Sequence, residues 1–173
     1  MQTQLRQLIP ENEIHSIVRR LSAEIRAENP SSEAVLIGVM KGAFVFMADL
    51  ARELGPAFEV DFMQAASYGH RDTPSEEVRI ISDISVDIRG RDVIVVEGII
   101  DRGNTAKAVI NHLEKKGPSS IRLCTLILRK GHSHNLTVDY IGRQIDDGFI
   151  VGYGMDYREK YRGLKGLFTI DKT

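Results

Sequence analysis

A short segment in the middle of the chain combines carboxylate side chains with a glycine turn before a helix-like pattern. Glu97 and Asp101 follow an apolar run at residues 93–96, and Gly103 leads into a segment whose apolar residues recur at helical spacing. A glycine turn at a helix start presents unpaired backbone N–H groups, which together with the helix dipole favour a phosphate group. Thr105 adds a hydroxyl donor, whereas a carboxylate such as Glu97 accepts hydrogen bonds from sugar hydroxyls. The combination predicts a site for a phosphorylated sugar.

The same residues allow a plainer interpretation, in which Glu97 and Asp101 are solvated loop acids and Gly103 only closes a turn. The sequence contains neither a Walker-type G-x-x-x-x-G-K-[ST] motif nor a G-x-G-x-x-G motif. The common nucleotide-binding motifs therefore do not compete for this segment, and both interpretations stay open on these residues alone.

The elements that position these residues follow from hydrophobic periodicity. Helical patterns occupy residues 11–28 and 43–54, and a third begins after Gly103, where Asn104 is placed to cap the helix start. Runs typical of strands occupy residues 34–39, 58–66, 78–84, 93–96, 121–128, 140–141, 149–151 and 167–170. Several of these runs are continuously apolar, as in strands that helices cover on both faces. The alternation predicts an α/β fold with a central, mainly parallel sheet flanked by helices.

In open parallel sheets, ligands bind beyond the carboxyl ends of the strands. Three polar stretches lie at such ends: Lys41-Gly42, residues 97–105 and Arg129-Lys130. We expect one domain over residues 1–173, with a small hood on the sheet formed by residues 1–33 and 139–173.

The bulk composition restricts the possible partners. The 173 residues carry a formal net charge of −1, which gives no electrostatic signature of nucleic-acid binding. No run of about 18 apolar residues occurs, and the N-terminal segment lacks the apolar core of a secretory signal. Cys124 is the only cysteine, and its apolar neighbours indicate a packing role. We therefore expect a cytoplasmic protein with neither nucleic acid nor a membrane as partner.

The segment VIVVEGIIDRGNT resembles the phosphoribosyl-pyrophosphate (PRPP) motif of type I phosphoribosyltransferases. In that motif an apolar strand precedes Glu-Asp, two apolar residues and Asp-Thr/Ser-Gly-x-Thr. The segments VLIGVMKGAFVFMADL, SYG and DDGFIVGYGMDYREKYRGL occur in the order and approximate spacing of one branch, the hypoxanthine-guanine phosphoribosyltransferases. The resemblance extends from about Ile14 to Ile170, which is nearly the whole chain.

This resemblance implies the type I phosphoribosyltransferase fold, with the hood formed by the chain ends. It also implies a purine-salvage reaction, in which the phosphoribosyl group of PRPP is transferred to N9 of hypoxanthine or guanine. Pyrophosphate is released, and the products are IMP or GMP. Members of the family use Mg²⁺ and commonly form homodimers or homotetramers, so we expect this cofactor and a homo-oligomer.

The resemblance assigns roles around the PRPP motif. Asp101 takes the position of the acid/base near purine N7, and Glu97 takes that of the residue that holds ribose hydroxyls. The 5′-phosphate site corresponds to the backbone of four consecutive residues, together with the hydroxyl of the last: Arg102, Gly103, Asn104 and Thr105.

Further roles concern the pyrophosphate and the metal. Lys41 and Gly42 match the pyrophosphate loop, in which the family often has a non-proline cis peptide, here Met40–Lys41. Arg162 matches a pyrophosphate contact. Asp156 matches a Mg²⁺ ligand and is also assigned to the purine-binding residues, and Glu97 is the second metal candidate.

The purine pocket is assigned in the same way. Phe149 matches the aromatic residue that stacks on the purine, and Ile150 matches the residue whose backbone reads the purine edge. Arg129 aligns with the lysine that donates to the 6-oxo group, and Lys130 is next to it. Either cation favours a 6-oxopurine over a 6-aminopurine, because an amino group cannot accept that hydrogen bond. Residues Ser67 and Tyr68 match the start of a mobile lid that excludes water.

Two residues of the PRPP site depart from the family motif. Gly98 stands where the family has a second ribose-binding acid, and losing that partner should weaken PRPP binding by about 1.5–3 kcal/mol. Arg102 stands where a threonine or serine normally donates to the phosphate. Its guanidinium either replaces that hydroxyl with a charge-assisted contact, or pairs with Asp101, holds it ionised and makes it a poorer proton donor.

These departures leave a second function open beside the active enzyme, namely a catalytically impaired, nucleotide-binding regulatory homologue on the same fold. A third possibility is phosphoribosyl transfer with a different leaving group or acceptor. We favour the active enzyme, because the other functional positions are retained: Lys41, Glu97, Asp101, Phe149, Asp156 and Arg162.

Two further polar clusters receive plainer interpretations. His132 and His134 resemble a metal pair, but without a third ligand in view they are interpreted as residues of a surface turn. Glu76 and Glu77 are interpreted as a solvated charge cluster in the lid segment.

Overall fold

Strands and helices alternate along most of the chain. A computed structural model describes residues 4–31, 33–68, 77–131, 136–146 and 148–171. In chain order the elements are β1 (Gln4–Ile9), α1 (Glu11–Glu28), β2 (Val35–Met40), α2 (Phe44–Leu54), β3 (Glu59–Tyr68), β4 (Glu77–Ser82), β5 (Asp92–Ile100), α3 (Asn104–Glu114), β6 (Ser120–Arg129), β7 (Tyr140–Ile145), β8 (Phe149–Val151) and β9 (Leu167–Asp171). Every helix in these described ranges is too short or too polar to span a lipid bilayer.

Six strands form the central sheet in the order β4-β3-β2-β5-β6-β7. Neighbouring strands are parallel, except that β3 and β4 are antiparallel. The inner strands β2 and β5 are apolar on both faces, and residues such as Leu36 and Val95 are fully buried. Such continuous apolar runs fit strands that are covered on both sides. The predicted α/β class with a mainly parallel sheet is confirmed.

The helices cover both faces of this sheet. Leu21 of α1 and Leu50 of α2 belong to one buried cluster with Leu36 of β2. On the other face, Val109 of α3 packs in a second cluster with Val95 of β5. The amphipathic stripes read from the sequence therefore face the sheet, and burial of apolar area on both sides is the main favourable contribution to folding.

A second, three-stranded sheet is built from the two ends of the chain, in the order β1-β9-β8. Both of its strand pairs are antiparallel. Ile9, Ile150 and Leu167 of this sheet join the core cluster that contains α1 and α2. This small sheet lies where the sequence analysis expected the hood.

One strand from the residues expected in the hood, β7, belongs to the central sheet. We expected residues 139–173 to belong to it as a whole, but β7 pairs in parallel with β6 and extends the central sheet. Tyr140 of β7 contributes a ring that is almost fully buried in the main core, which explains this placement. The helix α1, also assigned to the hood, packs on α2 and β7. The single-domain organisation and the remaining hood boundaries stay predictions.

Two elements near the chain centre and start differ from expectation. The strand expected at residues 93–96 continues to Ile100, because Ile99 and Ile100 pair with Ile127 and Leu128 of β6. Glu97 therefore lies inside a strand and not in a loop. Strand β1 was not expected, since its burial pattern leaves only Ile9 fully buried and its strand conformation depends on pairing with β9.

Candidate active site

A cavity of about 580 Å³ lies at the carboxyl end of β5 and the start of α3. Its lining combines the PRPP-motif residues with one aromatic side chain from β8: Glu97, Ile99, Ile100, Asp101, Arg102, Gly103, Asn104, Thr105, Ala106 and Phe149. Residues that are about fifty positions apart in the sequence are thereby brought together at a strand end. The functional role of each residue stays a prediction.

The turn between β5 and α3 has the backbone that an anion site needs. Gly103 adopts a left-handed conformation with φ of 79° and precedes the first helical residue, Asn104. Asn104 was expected to cap this helix, but Gly103, which has no side chain to form a cap, occupies the capping position. The first N–H groups of a helix have no intrahelical acceptor. They are therefore available to an external anion beside the Thr105 hydroxyl.

Glu97 is a buried carboxyl group in the cavity wall. Its exposed fraction is only 8%, and it pairs with Thr125 in the β5–β6 ladder. Burial raises the pKa of Glu97 to about 8 from its ordinary value of 4.5. A buried carboxyl without compensating charge favours its neutral form. The interpretation of Glu97 as a solvated loop acid is therefore wrong.

Asp101 forms an ion pair with Arg129 across the ends of β5 and β6. One carboxylate oxygen of Asp101 lies 3.0 Å from Nε of Arg129. The terminal nitrogens of Arg129 donate hydrogen bonds to the backbone carbonyl groups of Asp146 (3.2 Å) and Gly148 (2.8 Å). The Arg129 side chain is only 11% exposed, so it connects Asp101 to the segment that enters β8.

The two cations proposed for the purine oxygen differ in their surroundings. Arg129 is buried between Asp101 and the backbone before Phe149, whereas Lys130 is half-exposed and lies 3.5 Å from a carboxylate oxygen of Asp146.

Arg102, the unusual residue of the motif, is exposed and lines the cavity.

The aromatic part of the site includes Tyr157, which was not predicted from the sequence. Phe149 is partly exposed toward the cavity, and its ring meets Tyr157 edge-to-face with a centroid distance of 5.4 Å. Such T-shaped contacts stabilise ring orientation. Ile150 is buried and pairs with Thr169 of β9, which fixes the backbone next to Phe149.

The pyrophosphate loop faces the segment between β8 and β9. The expected cis peptide between Met40 and Lys41 is present. Lys41 Nζ lies 3.1 Å from a carboxylate oxygen of Glu159, and the same oxygen lies 3.1 Å from a terminal nitrogen of Arg162. That nitrogen of Arg162 also lies 2.8 Å from Asp156. Glu159 thus connects both cations that were predicted to bind pyrophosphate.

Gly42 packs tightly between two other glycines. A Cβ atom at Gly98 would lie 2.7 Å from the Gly42 carbonyl oxygen, and a Cβ atom at Gly154 would lie 2.6 Å from the same oxygen. Real Cβ contacts essentially never fall below about 3.0 Å. Residue 98, where the family motif has its second acid, therefore has to be glycine when the loop at Lys41-Gly42 lies in this position.

The described residues do not form a preassembled metal site. No group of three or more His, Cys, Asp or Glu side chains in the described ranges is placed to hold a metal ion. One carboxylate oxygen of Asp156 forms an ion pair with Arg162. The other accepts a hydrogen bond from the backbone N–H of Glu159 at 2.8 Å. A Mg²⁺ ion commonly binds through only one or two carboxylates together with substrate phosphates and water. Asp156 and Glu97 supply hard oxygen atoms that fit such a shared ion.

Some predicted residues lie outside the part of the chain just described. Backbone positions Ser67 and Tyr68 end β3, but the lid segment at residues 69–76 is not described, and it includes Glu76. His132 and His134 also lie outside the described residues. Glu77 begins β4.

Comparison with known proteins agrees with this arrangement. The family model "Phosphoribosyl transferase domain" matches residues 7–158 of the chain. The chain belongs to the phosphoribosyltransferase family.

Several phosphoribosyltransferases are similar over nearly their full length. Hypoxanthine phosphoribosyltransferase of Escherichia coli (strain K12) is 44% identical over 160 residues, covering 91% of this chain and 90% of the relative. Hypoxanthine-guanine phosphoribosyltransferase of Bacillus subtilis (strain 168) is 39% identical over 158 residues, covering 91% of this chain and 88% of the relative. A crystal structure of a hypoxanthine-guanine phosphoribosyltransferase from Bacillus anthracis str. 'Ames Ancestor' has a TM-score of 0.92 at 38% identity, covering 98% of this chain and 100% of that chain.

Three residues of this phosphoribosyltransferase contact the predicted site but were not predicted from the sequence. Tyr157 and Glu159 lie in the segment GMDYREKYRGL that carried the resemblance, and Gly154 opens it. Their only sequence signal was this proximity to Asp156 and Arg162. Their contacts with Phe149, Lys41 and Gly42 depend on how the β8–β9 segment folds back over the sheet.

The contact between Gly98 and Gly42 predicts a stability effect. Gly98→Ala should lower the free energy of unfolding by about 1–3 kcal/mol, because the new methyl group meets a backbone oxygen that cannot rotate away. Chemical denaturation measures this difference. Gly163→Ala is the matched control, because a Cβ atom there meets no atom within 4 Å. Equal effects of the two substitutions would contradict the close packing at Gly98.

The buried carboxyl of Glu97 predicts a pH effect on stability. Because its folded pKa of about 8 lies above the ordinary 4.5, the folded protein retains a proton that the unfolded chain releases. This contribution is complete below pH 4.5 and is lost as the pH rises through 8. Relative to the wild type, Glu97→Gln should therefore gain stability as the pH rises from about 4.5 to 8, by up to roughly 5 kcal/mol at 1.36 kcal/mol per pKa unit, and the difference should stay constant above pH 8.

Thermal or chemical denaturation across this pH range measures the difference between Glu97→Gln and the wild type. Glu53→Gln changes an exposed carboxylate and should show no such trend. A stability difference for Glu97→Gln that is independent of pH would mean that the Glu97 carboxyl is solvated in the folded protein.

Proposed function

We propose that the protein is a purine-salvage enzyme that transfers the phosphoribosyl group of PRPP to N9 of hypoxanthine or guanine. The bond from C1′ of the ribose to the pyrophosphate oxygen breaks, the C1′–N9 bond forms, and the products are IMP or GMP with pyrophosphate. Membership of the phosphoribosyltransferase family and the names of the relatives support this activity. The observation that carries it is the cavity in which the first turn of α3, Glu97 and Phe149 meet.

The proposed 5′-phosphate site is the turn at residues 102–105. The unpaired N–H groups at the start of α3 and the Thr105 hydroxyl would donate to the phosphate oxygens, and the helix dipole favours the negative charge. In this arrangement the exposed guanidinium of Arg102 adds a charge-assisted contact to the same phosphate. The ribose would then lie over Gly98 and against Glu97, whose carboxyl accepts hydrogen bonds from its hydroxyls.

The proposed purine site lies between β5, β6 and β8. The ring of Phe149 stacks on the purine, and the backbone of Ile150 reads its edge. Asp101 accepts the proton that leaves the purine ring nitrogen N7, and Arg129 holds the Asp101 carboxylate in place through the 3.0 Å ion pair. Arg129 has further N–H donors for the 6-oxo group, whereas Lys130 is half-exposed beside Asp146.

Pyrophosphate would lie between the Lys41-Gly42 loop and Arg162. Positive charge at this position stabilises the leaving group as negative charge develops on it. We propose Mg²⁺ as the cofactor, which on binding with PRPP neutralises part of that charge. Asp156 would contribute to its coordination from the protein side, with Glu97 as the second candidate. The lid that begins at Ser67 and Tyr68 would exclude water during transfer.

The regulatory, catalytically impaired alternative gains no support from these observations. Its motivation was the pair of departures at Gly98 and Arg102. Gly98 accommodates the Gly42 carbonyl group, and Arg102 is exposed and lines the cavity. We further propose a cytoplasmic homo-oligomer, a dimer or a tetramer, that acts on small molecules and not on nucleic acid or membranes.

The activity predicts product formation in an initial-rate assay with varied PRPP, saturating Mg²⁺ and either hypoxanthine or guanine. Asp101→Asn should lower kcat about 10²–10⁴-fold, because an amide cannot accept the N7 proton. Asp87→Asn, an exposed residue that does not line the cavity, should leave kcat unchanged. If wild-type protein binds GMP but forms no product at saturating PRPP, the enzymatic function is excluded in favour of nucleotide binding alone.

The contrast between Arg129 and Lys130 predicts which cation serves the purine. Arg129→Gln removes the ion pair to Asp101 and both carbonyl contacts, so it should weaken GMP binding by about tenfold or more. Lys130→Gln should change GMP affinity less than about twofold, since its ion pair is exposed. Calorimetric titration of each variant with GMP measures both affinities. The reverse order of effects would assign the purine contact to Lys130.

A further inference from the structure

The carboxylate of Glu159 lies between two cations that the proposed function assigns to pyrophosphate. One of its oxygens is 3.1 Å from Lys41 Nζ and 3.1 Å from a terminal nitrogen of Arg162. Lys41 comes from the loop after β2, whereas Glu159 and Arg162 come from the segment between β8 and β9. A single carboxylate therefore joins two separate parts of the fold at the proposed pyrophosphate site.

Glu159 is a charged group in this position. Both groups that lie 3.1 Å from its carboxylate oxygen are cations, Lys41 and Arg162, and a cation at this distance favours the ionised form of a carboxyl group. Two anions cannot share the same pair of cations without strong like-charge repulsion. A pyrophosphate group that contacts both Lys41 and Arg162 must therefore displace the Glu159 carboxylate.

The backbone around Glu159 is in an uncommon conformation. Arg158, Glu159 and Tyr161 have φ values of 52°, 61° and 73°, and Tyr153 has a φ of 48°. Left-handed backbone is unfavourable for residues with a Cβ atom, and several such residues in one segment persist only where other contacts hold them. Backbone hydrogen bonds hold this segment, including a reciprocal pair between Tyr157 and Lys160 at 3.1 Å. The contacts of Glu159 with both cations and of its backbone N–H with Asp156 add to them.

The three side chains differ in how easily they can move. Lys41 and Glu159 are 52% and 66% exposed, whereas Arg162 is 18% exposed and also donates to the Gly154 carbonyl group at 2.7 Å. Exposed ion pairs contribute little to stability, so breaking them is easy. Arg162 is the fixed partner, and Glu159 with its exposed contacts is the group that can leave.

We propose that Glu159 is an internal anion that occupies the pyrophosphate subsite of the free protein and is displaced when pyrophosphate or PRPP binds. The proposal rests on the proposed function, because it takes Lys41 and Arg162 as the pyrophosphate contacts. In the free protein Glu159 holds these cations at the positions that the ligand needs. In the binding step it competes with the ligand, and in product release its return favours the departure of pyrophosphate.

The proposal is tested by calorimetric titration of pyrophosphate without added metal. Glu159→Gln keeps the size of the side chain and removes its charge, so pyrophosphate should bind about two- to tenfold more tightly than to the wild type. Glu159→Ala should shift the affinity in the same direction. Glu24→Gln, which neutralises an exposed carboxylate paired with Arg20 at 2.8 Å on α1, should leave the affinity unchanged.

Turnover provides a second readout. With Glu159→Gln, the KM for PRPP should fall and inhibition by added pyrophosphate should strengthen by a similar factor, while kcat falls if pyrophosphate release limits the rate. A residue with only a structural role would not lower KM.

The competing outcomes are distinguishable. GMP does not contain the pyrophosphate group, so its affinity should be the same for wild type and Glu159→Gln. If GMP binds normally but Glu159→Gln leaves pyrophosphate affinity unchanged or weakens it, with or without Mg²⁺, Glu159 is a structural residue or a ligand-binding residue and the proposal is overturned. If neither GMP nor pyrophosphate binds to the wild type, the proposed function itself fails, and the internal-anion proposal fails with it.

Discussion

The left-handed turn at Gly103 determines where the rest of the candidate site can lie. It joins the end of β5 to the first turn of α3, so that backbone N–H groups without an intrahelical acceptor and the buried carboxyl of Glu97 border one cavity. The proposed anion site and the proposed acceptor for hydroxyl groups are thereby positioned by a helix start and by a buried strand. Binding groups that are held by backbone geometry need little reorganisation when a ligand arrives.

The other parts of the site are held against this turn by close backbone packing and by ion pairs. The carbonyl group of Gly42 lies between Gly98 and Gly154, which brings the loop after β2, the strand β5 and the segment after β8 into contact. Arg129 connects Asp101 to the backbone that precedes Phe149. A substitution in one of these segments is therefore expected to affect the others, and effects of neighbouring substitutions should not be additive.

The departure at Gly98 is informative for the same reason. In the family motif a second acid occupies this position, and its absence suggested a weaker site. The structure instead places the Gly42 carbonyl oxygen only 2.7 Å from where the Cβ atom of that acid would lie. Of the two adjacent acids of the motif, only Glu97 is then left for the proposed ribose contacts, and burial raises its pKa to about 8. A cation or a hydrogen-bonded sugar next to Glu97 would favour its ionised form.

The sequence alone predicted most of the elements and the position of the PRPP-motif residues near the carboxyl end of a strand. Helix α1 has the predicted bounds, because its apolar spacing and the flanking prolines are local signals. The extension of β5 through Glu97, the strand β1 and the place of β7 in the central sheet were not predictable locally, because each depends on pairing with a strand that is distant in sequence. The positions of Glu159, Tyr157 and Gly154 were unreadable for a similar reason, since they result from the fold of one irregular segment over the sheet.

The most direct measurement of the central claim compares the affinities of GMP and guanosine for the wild-type protein and for Thr105→Ala. If the start of α3 binds a phosphate monoester, GMP should bind at least about tenfold more tightly than guanosine, and Thr105→Ala should reduce this ratio. Equal affinities of the two ligands for the wild-type protein would contradict the account.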